Sequence, residues 1–436
     1  MQRHALIIPL IVFFSLSYFT LQGQSLSLHE VWQHVDSKDK TNLIKQIQVN
    51  QSKENILDAR AERLPEINLA GYLEETTNLP IYENGLFNSP SQHAIVHTRY
   101  KVGADAYFNI YNGGKTNIKI AERKIMLQLT DVQQKQTAAN LRLLAAVYYL
   151  DLSKSYVFRA LMINDIADQE KQLKKVKVLL KEGVILKSDM LRIELKLSRQ
   201  RVTLLQIEND IKIAAQKLNI MMGEADEQTI IPADSLNVDQ LPMKTYPEYL
   251  AEASSEAYEY RIAKQETGLS DLKLKDVRAN SSVKAGIYSS FAYAYPENFL
   301  YPYAADLYSL GITGVKISFP ISSFYTNRHK VKTAKLEHWQ KQVETADVQD
   351  KIRQRVNEAF LRYQEATTKV DVAKTDVVRA VENYRIVRNT YFNQTSLITD
   401  LLDADVQLLQ ARFDLAAAQV TAHLQYYQLQ NTIGRL

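Results

Sequence analysis

The stretch Asn109-Ile110-Tyr111-Asn112-Gly113-Gly114-Lys115-Thr116 ends in Gly-Lys-Thr just before a long helical pattern. Gly-Lys-Thr at a helix start is half of a phosphate-binding loop, whose backbone amides cradle a nucleotide's phosphates while the lysine reaches them. The full pattern needs an earlier glycine, and that position here is Asn109. A plain strand-to-helix turn fits the stretch better. His29-Glu30-Val31-Trp32-Gln33-His34 comes close to a His-Glu-x-x-His zinc motif. Its second histidine falls one position late, so the two do not share the helix face a metal needs. It reads as the amphipathic start of a first helix. His93 and His97 fall in a predicted loop without further ligands, and no Ser-His-Asp constellation is identifiable. No catalytic residue, cofactor or metal site is expected.

Composition narrows the classes further. The 436 residues contain no cysteine, which excludes disulfides, thiolate metal sites, a cysteine nucleophile and a lipidated cysteine tether. A net charge of +4 is too balanced to argue for nucleic acid. Only 13 glycines stand against 25 tyrosines, which favours long elements with few turns. Ala5 to Leu21 is a mostly apolar run after Arg3 and His4, broken by Pro9, Ser15, Ser17 and Thr20. It predicts a signal peptide over 1–23, cleaved near Gly23 and Gln24; a membrane-anchoring helix is the alternative, at marginal length.

The elements around these residues repeat. Gly103 pairs with Gly314, Phe108 with Phe319 and Ile110 with Ile321, an offset of 211. Ser188-Asp189-Met190-Leu191 pairs with Thr399-Asp400-Leu401-Leu402 at the same offset, as do Leu218 and Gly223 with Leu429 and Gly434. A single register held without insertion marks a tandem structural repeat. Residues 109–116 then align with 320–327, Pro-Ile-Ser-Ser-Phe-Tyr-Thr-Asn, which has neither glycine nor lysine. A phosphate cradle would need both; a turn does not.

Each repeat predicts a helix (27–63, 246–278), two strands, and a very long helical hairpin (115–222, 326–433). In 99–110, Tyr100, Val102, Ala104, Ala106, Phe108 and Ile110 alternate with Arg99, Lys101, Gly103, Asp105, Tyr107 and Asn109. That is a strand with one apolar and one polar face. Ile67, Leu69, Gly71 and Leu73 alternate likewise, as do 283–295 less cleanly, and Val315, Ile317 and Phe319 share a face on a strand over 307–319. Four strands are too few to close a membrane barrel, whose minimum is about eight, so any barrel must be shared between chains. In the helices, Ile352, Val356, Ala359, Tyr363, Ala366, Val370, Ala373 and Val377 step by four and three, a heptad-like seam. At 1.5 Å per residue, 115–182 would be about 100 Å long, and two shorter helices stacked end to end would match it. A protomer four rods wide with a small sheet at one end suits a tube better than an enzyme.

With these features the chain resembles the TolC-like outer-membrane efflux proteins. The resemblance rests on the tandem repeat and on the strand-to-helix joins at Gly113, Gly114 and Pro320. It rests also on the tip stretch from Tyr391-Phe392-Asn393-Gln394-Thr395-Ser396 to Asp400-Leu401-Leu402-Asp403-Ala404. It implies a mainly α fold with a small β part: a homotrimer whose helices form an α-helical barrel through the periplasm. Three chains would share a twelve-stranded β-barrel in outer-membrane lipid. It implies a passive exit duct for efflux or type I secretion, driven by an inner-membrane pump of RND or ABC type through a periplasmic adaptor protein. Asp400 and Asp403 fall on the family's aperture carboxylates. Six of these around a threefold axis would repel one another and attract cations; a surface pair favoured by a helix N-terminus is the plainer alternative. Tyr391 falls on a latch tyrosine, whereas Ser396 stands where close relatives carry a latching arginine. Gly183 fits the first tip turn, with Asp189 following it. At its counterpart Gln394 many relatives have glycine, and a non-glycine there argues against a positive-φ turn. The two tip turns are the expected adaptor contacts. The expected division is 24–223 and 246–436 as repeats, with 224–245 joining them as a belt, and 75–97 and 295–306 as external loops. A soluble periplasmic or secreted coiled-coil scaffold is the competing reading.

Overall fold

The computed structural model describes residues 24–297 and 304–436. The signal segment expected over 1–23 and the middle of the loop expected over 295–306 lie outside the described residues. The chain runs β1 (Gln24–Leu26), α1 (Leu28–Lys38), α2 (Lys40–Ala61), β2 (Glu66–Glu75), β3 (Leu79–Ile81), β4 (Ser91–His93), β5 (Thr98–Asn112), α3 (Lys115–Lys181) and α4 (Lys187–Met222). A connecting segment follows, with β6 (Ile230–Pro232) and a single 3-10 turn at Val238–Gln240. Then come α5 (Tyr246–Glu256), α6 (Tyr258–Ala279), β7 (Lys284–Tyr295), β8 (Tyr308–Ser318), the short α7 (Ser323–Thr326), α8 (Arg328–Phe392) and α9 (Ile398–Thr432). The order helix pair, long strands, long hairpin therefore occurs twice.

The rods have the expected proportions. α3 has 67 residues and α8 has 65, each about 100 Å at 1.5 Å per residue. Residues on the α8 seam are buried from Ile352 and Val356 through Tyr363, Ala366, Val370 and Ala373, with Ala359 and Val377 half-buried. Against them α9 presents Ala422 and Leu429. Small residues at these positions let the two axes approach closely.

The first helix of each repeat is not continuous, contrary to the expectation of single helices over 27–63 and 246–278. α1 stops and α2 starts at Asp39, whose backbone is extended (ψ 128°) and whose carboxylate accepts from the amides of Thr41 and Asn42. An aspartate that caps two amides offers the chain a stable break inside an otherwise helical pattern. α5 and α6 part at Ala257 in the same way, with ψ 126°. That break is set by tertiary packing: a Cβ on Gly434 would lie 2.3 Å from the Glu256 carbonyl oxygen, so the chain past α9 runs against this backbone. Composition gave no sign of it. The start of α1 is locally fixed, because Ser27 and Glu30 form a reciprocal capping box.

Four strands make one antiparallel sheet in the order β2-β5-β7-β8, and β3 and β4 form a small separate hairpin within 75–97. The register places Leu69 opposite Ala104, Ala104 opposite Phe291, Val102 opposite Tyr293, and Ile287 opposite Val315. One face is thus apolar across all four strands. The other carries Glu66, Asn68, Glu74, Arg99, Lys101, Asp105, Lys284 and Lys316. A bulge at Ile110 shifts the register, so that Tyr111 rather than Ile110 stands opposite Ala285. The bulge adds local twist where the strand turns into α3.

The largest core lies at the level of the connecting segment. Leu26, Val31, Val35, Ala145, Tyr149, Leu152, Leu218 and Ile230 belong to one buried cluster. β1 and β6 pair in parallel there. Tyr149 is its polar hub: its hydroxyl donates to the Leu26 carbonyl at 2.9 Å and accepts from the amides of Ala233 (3.1 Å) and Asp234 (3.2 Å). One α3 side chain thereby ties β1 and the connecting segment to the middle of the rod.

Candidate functional site

At the sheet end, the Gly-Lys-Thr stretch is a turn whose groups are occupied. Gly113 has φ +75°, and a Cβ there would lie 2.6 Å from the Ser282 Cβ and 2.9 Å from the Ala279 carbonyl oxygen. Lys115 donates to Asn280 Oδ1 at 2.5 Å and lies 3.8 Å from Asp276, at the C-terminal end of α6, where a cation is favoured. The Thr116 hydroxyl accepts from Asn112 Nδ2 at 2.9 Å. Gly114 also has positive φ and precedes α3 directly. In the second repeat the join is made differently: the Pro320 carbonyl accepts from the Ser323 amide (3.0 Å) and hydroxyl (2.6 Å), without glycine. The two joins share a place in the fold but no phosphate-binding chemistry.

At the opposite end, both hairpin turns use the same backbone. Gly183 has φ +76°, and the Val184 amide reaches back to the Leu179 carbonyl at 2.9 Å. Gln394 has φ +63°, and the Thr395 amide reaches the Thr390 carbonyl at 2.9 Å. The positive-φ turn that a glutamine argued against is therefore formed. The two hydrogen bonds that satisfy the last carbonyls of the helix outweigh the αL cost of one side chain. Gln394→Gly should remove that cost and raise the thermal midpoint of the tip. The expected gain is about 1 kcal/mol, read by comparing protease resistance of the turn on heating.

The tip residues singled out by sequence converge here. Tyr391 is buried with Val176, Ile193, Ile398 and Leu401, which joins the α3–α4 tip to the α8–α9 tip. Its hydroxyl is buried without a hydrogen-bond partner among the described residues. Burial, with the Asp189 carboxylate nearby, pushes its pKa above the usual phenol range. The Ser396 hydroxyl accepts from Thr390 Oγ1 at 3.2 Å, a contact within its own turn. Asp400 is exposed and accepts from the Leu397 amide at 3.2 Å, as an acid in a first helical turn does. Asp403 is exposed one turn further along α9 and lines a groove with Arg192, Lys196 and Arg199 of α4. Gly113, Gly114 and Pro320 lie at the other end of the rods.

Sequence reasoning missed the polar cluster just behind this tip. Asp405 is 4% exposed and accepts from Lys196 Nζ and Gln169 Nε2. Asp165 accepts from Gln200 Nε2, and Gln172 donates to the Tyr384 hydroxyl at 2.6 Å. A signal existed: Leu401, Ala404 and Leu408 step by three and four, and Asp405 is a charge on that buried seam. Further along α9 His423 is buried, and burial lowers its pKa. Among the described residues no group of histidine, cysteine or carboxylate side chains could hold a metal ion, and no helix is long and apolar enough to cross a membrane.

Two long hairpins, a four-stranded sheet and a tip of this geometry define a class, and known proteins share it. No family model matches the chain. It is 21% identical over 350 residues to the outer membrane efflux protein BepC of Brucella suis biovar 1 (strain 1330), covering 77% of this chain and 72% of BepC. The solved structure of CusC, described in terms of transmembrane channel formation, matches at TM-score 0.78 and 14% identity over 94% of this chain and 93% of CusC. The Campylobacter jejuni CmeC outer membrane channel matches at TM-score 0.75 and 11% identity over 94% of this chain and 85% of CmeC. The fold of this chain is that of the TolC-like outer-membrane channels.

Proposed function

We propose that the chain is one protomer of a trimeric, non-enzymatic exit duct. It crosses the outer membrane of a Gram-negative bacterium and extends into the periplasm as part of a tripartite efflux or type I secretion system. The observation that carries this reading is the sheet. Its apolar face is exposed across all four strands, with Leu69 79% and Val315 66% exposed. Its edge strands β2 and β8 have no partner on their outer sides among the described residues. An open edge beside an apolar face of this size is unstable in water. Four strands of alternating direction let β8 of one copy pair antiparallel with β2 of the next. Three copies give twelve strands, above the minimum of about eight for a lipid-facing barrel. A soluble scaffold would leave this face wet. Fractionation, detergent extraction and mass determination test the reading: a detergent-dependent trimer from the outer membrane supports it, and a soluble monomer or dimer overturns it.

Residues 24–223 and 246–436 then act as two structural repeats, with 224–245 as the belt between them. The turns around Gly183 and Gln394 face a periplasmic adaptor, which joins the duct to an inner-membrane pump of RND or ABC type. Asp400 and Asp403 ring the narrow end. Asp400→Ala combined with Asp403→Ala should weaken block of single-channel current by a multivalent cation by about tenfold or more. Removing six of the carboxylates that attract it costs well over the 1.4 kcal/mol that tenfold represents. Unchanged block would take both residues out of the aperture. Asp403 shares its groove with Arg192 and Arg199, so the lumen there carries both signs.

A further inference from the structure

The cluster behind the tip holds more acceptors than donors. Gln169, Gln172, Gln200 and Asp405 are each at most 6% exposed. All three glutamines spend their amide N–H on Asp405, Tyr384 and Asp165 respectively. Their carbonyl oxygens are buried and meet no donor among the described residues. Of the two carboxylates Asp165 and Asp405, only Asp405 has an ion-pair partner within 4.0 Å among the described residues, the Lys196 ammonium; Arg412 acts on Asp165 from further away. Buried acceptors without donors, beside a carboxylate that has no ion-pair partner in contact, are costly as they stand. A proton added to Asp165 would supply one of the missing donors and remove one of the two negative charges.

From this arrangement we infer that Asp165 is a proton-binding site that locks the α3–α4 hairpin to the α8–α9 hairpin when protonated and releases it when ionised. The inference rests on the duct reading only for its consequence, the width of the tip. The cluster is placed to act. Asp165, Gln169 and Gln172 lie on α3, Lys196 and Gln200 on α4, Tyr384 on α8 and Asp405 on α9, so all four tip rods meet in it. It lies directly behind the apolar contact of Tyr391 with Val176 and Leu401. The groups facing Asp165 are Asp168 of its own helix, Lys196 of α4, and Asp405 and Arg412 of α9. Tyr384 faces the same carboxylates from α8, with Arg388 beside it. Burial first, then the Asp405 charge, pushes the Asp165 carboxyl up to about 7, against the lowering effect of Lys196 and Arg412. The sign follows. A carboxyl whose folded value is raised binds its proton more tightly in the packed state, so packing is favoured in acid and weakened as pH rises through the raised value.

The absence of cysteine makes the test direct, because introduced cysteines are unique labels. Spin labels at Glu182→Cys and Thr395→Cys, in one chain diluted among unlabelled copies, report the distance between the two tip turns of that chain. This distance can be read whether or not the chains form a trimeric duct, and the particle mass judges the duct separately. The expected result is a short distance at pH 5.5 and a longer or broader one at pH 8.5, unaffected by a chelator. Asp165→Asn, of nearly the same shape, should hold the short distance at both values. Lys196→Gln should move the midpoint to higher pH by about one unit or more. A distance independent of pH in the natural sequence would overturn the inference. So would an Asp165→Asn chain that titrates unchanged, or a chelator-dependent transition, which would mean a metal ion rather than a proton.

Discussion

A chain carrying Leu69→Arg should disappear from the detergent-extracted trimer. Leu69 stands on the apolar face of β2, opposite Ala104, in a band with Ile67, Leu73, Val102, Phe291 and Val315. If that band faces lipid, an arginine in its middle costs about 2–4 kcal/mol per strand near the bilayer midplane. Three copies enter one barrel, so the assembly loses about 6–12 kcal/mol, comparable with the whole stability of many domains. The neighbouring residue is the control. Asn68 pairs with Asp105 on the polar face, and Asn68→Arg adds the same cation to a surface that already carries Arg99, Lys101 and Lys284. Quantifying the trimer in the outer-membrane fraction for both variants separates the faces. Equal loss from both would point to a general folding defect, and equal survival of both would mean that the apolar face does not meet lipid.

The second large effect is expected at Lys196. Its side chain is 14% exposed, and its ammonium is bonded to the nearly buried Asp405. Lys196→Met keeps much of the side-chain volume and removes the charge. Breaking a buried pair by deleting one partner typically costs about 3–5 kcal/mol, because the remaining charge stays out of water without compensation. The loss should depend on pH. With the ammonium gone, both carboxylates are best accommodated protonated, so the packed state binds protons that the unfolded chain has released. Its stability then falls as pH rises from the ordinary carboxylate range. The apparent thermal midpoint of the helical signal should therefore drop most at pH 8 and least near pH 5. A drop larger in acid than in alkali would show that Lys196 does not balance these carboxylates.

Much of this architecture is legible in the chain. The offset that pairs Gly103 with Gly314 and Asp189 with Asp400 places two copies of one helix–strand–hairpin unit, and the elements occur in that order. Strand alternation in 99–110 and 67–73 identified the face that is apolar across the sheet, because side-chain direction in a strand is a local, period-two property. The same holds for the α8 seam, whose heptad spacing from Ile352 to Ala373 marks the buried positions. Local patterns of this kind survive into the structure because neighbouring residues enforce them.

The rest needed contacts between distant parts of the chain. The break at Ala257 depends on the backbone arriving from Gly434, and the occupied state of Lys115 on Asn280, far along the sequence. Gln394 takes a positive φ because two turn hydrogen bonds repay it, which its residue type argued against. Asp165, Lys196 and Asp405 sit on three different helices and look in the sequence like any solvated acid or base. Only packing of the four rods removes water from them and makes their charges matter. The sequence by itself determined the strand faces and the rods, which follow from periodicity, and the repeat, which follows from one fixed offset; the class of molecule came from the resemblance these features carry together. The tertiary structure decided where helices break, which polar groups are buried together and how the two hairpins are held, since the energy of a buried charge is set by whatever surrounds it in space.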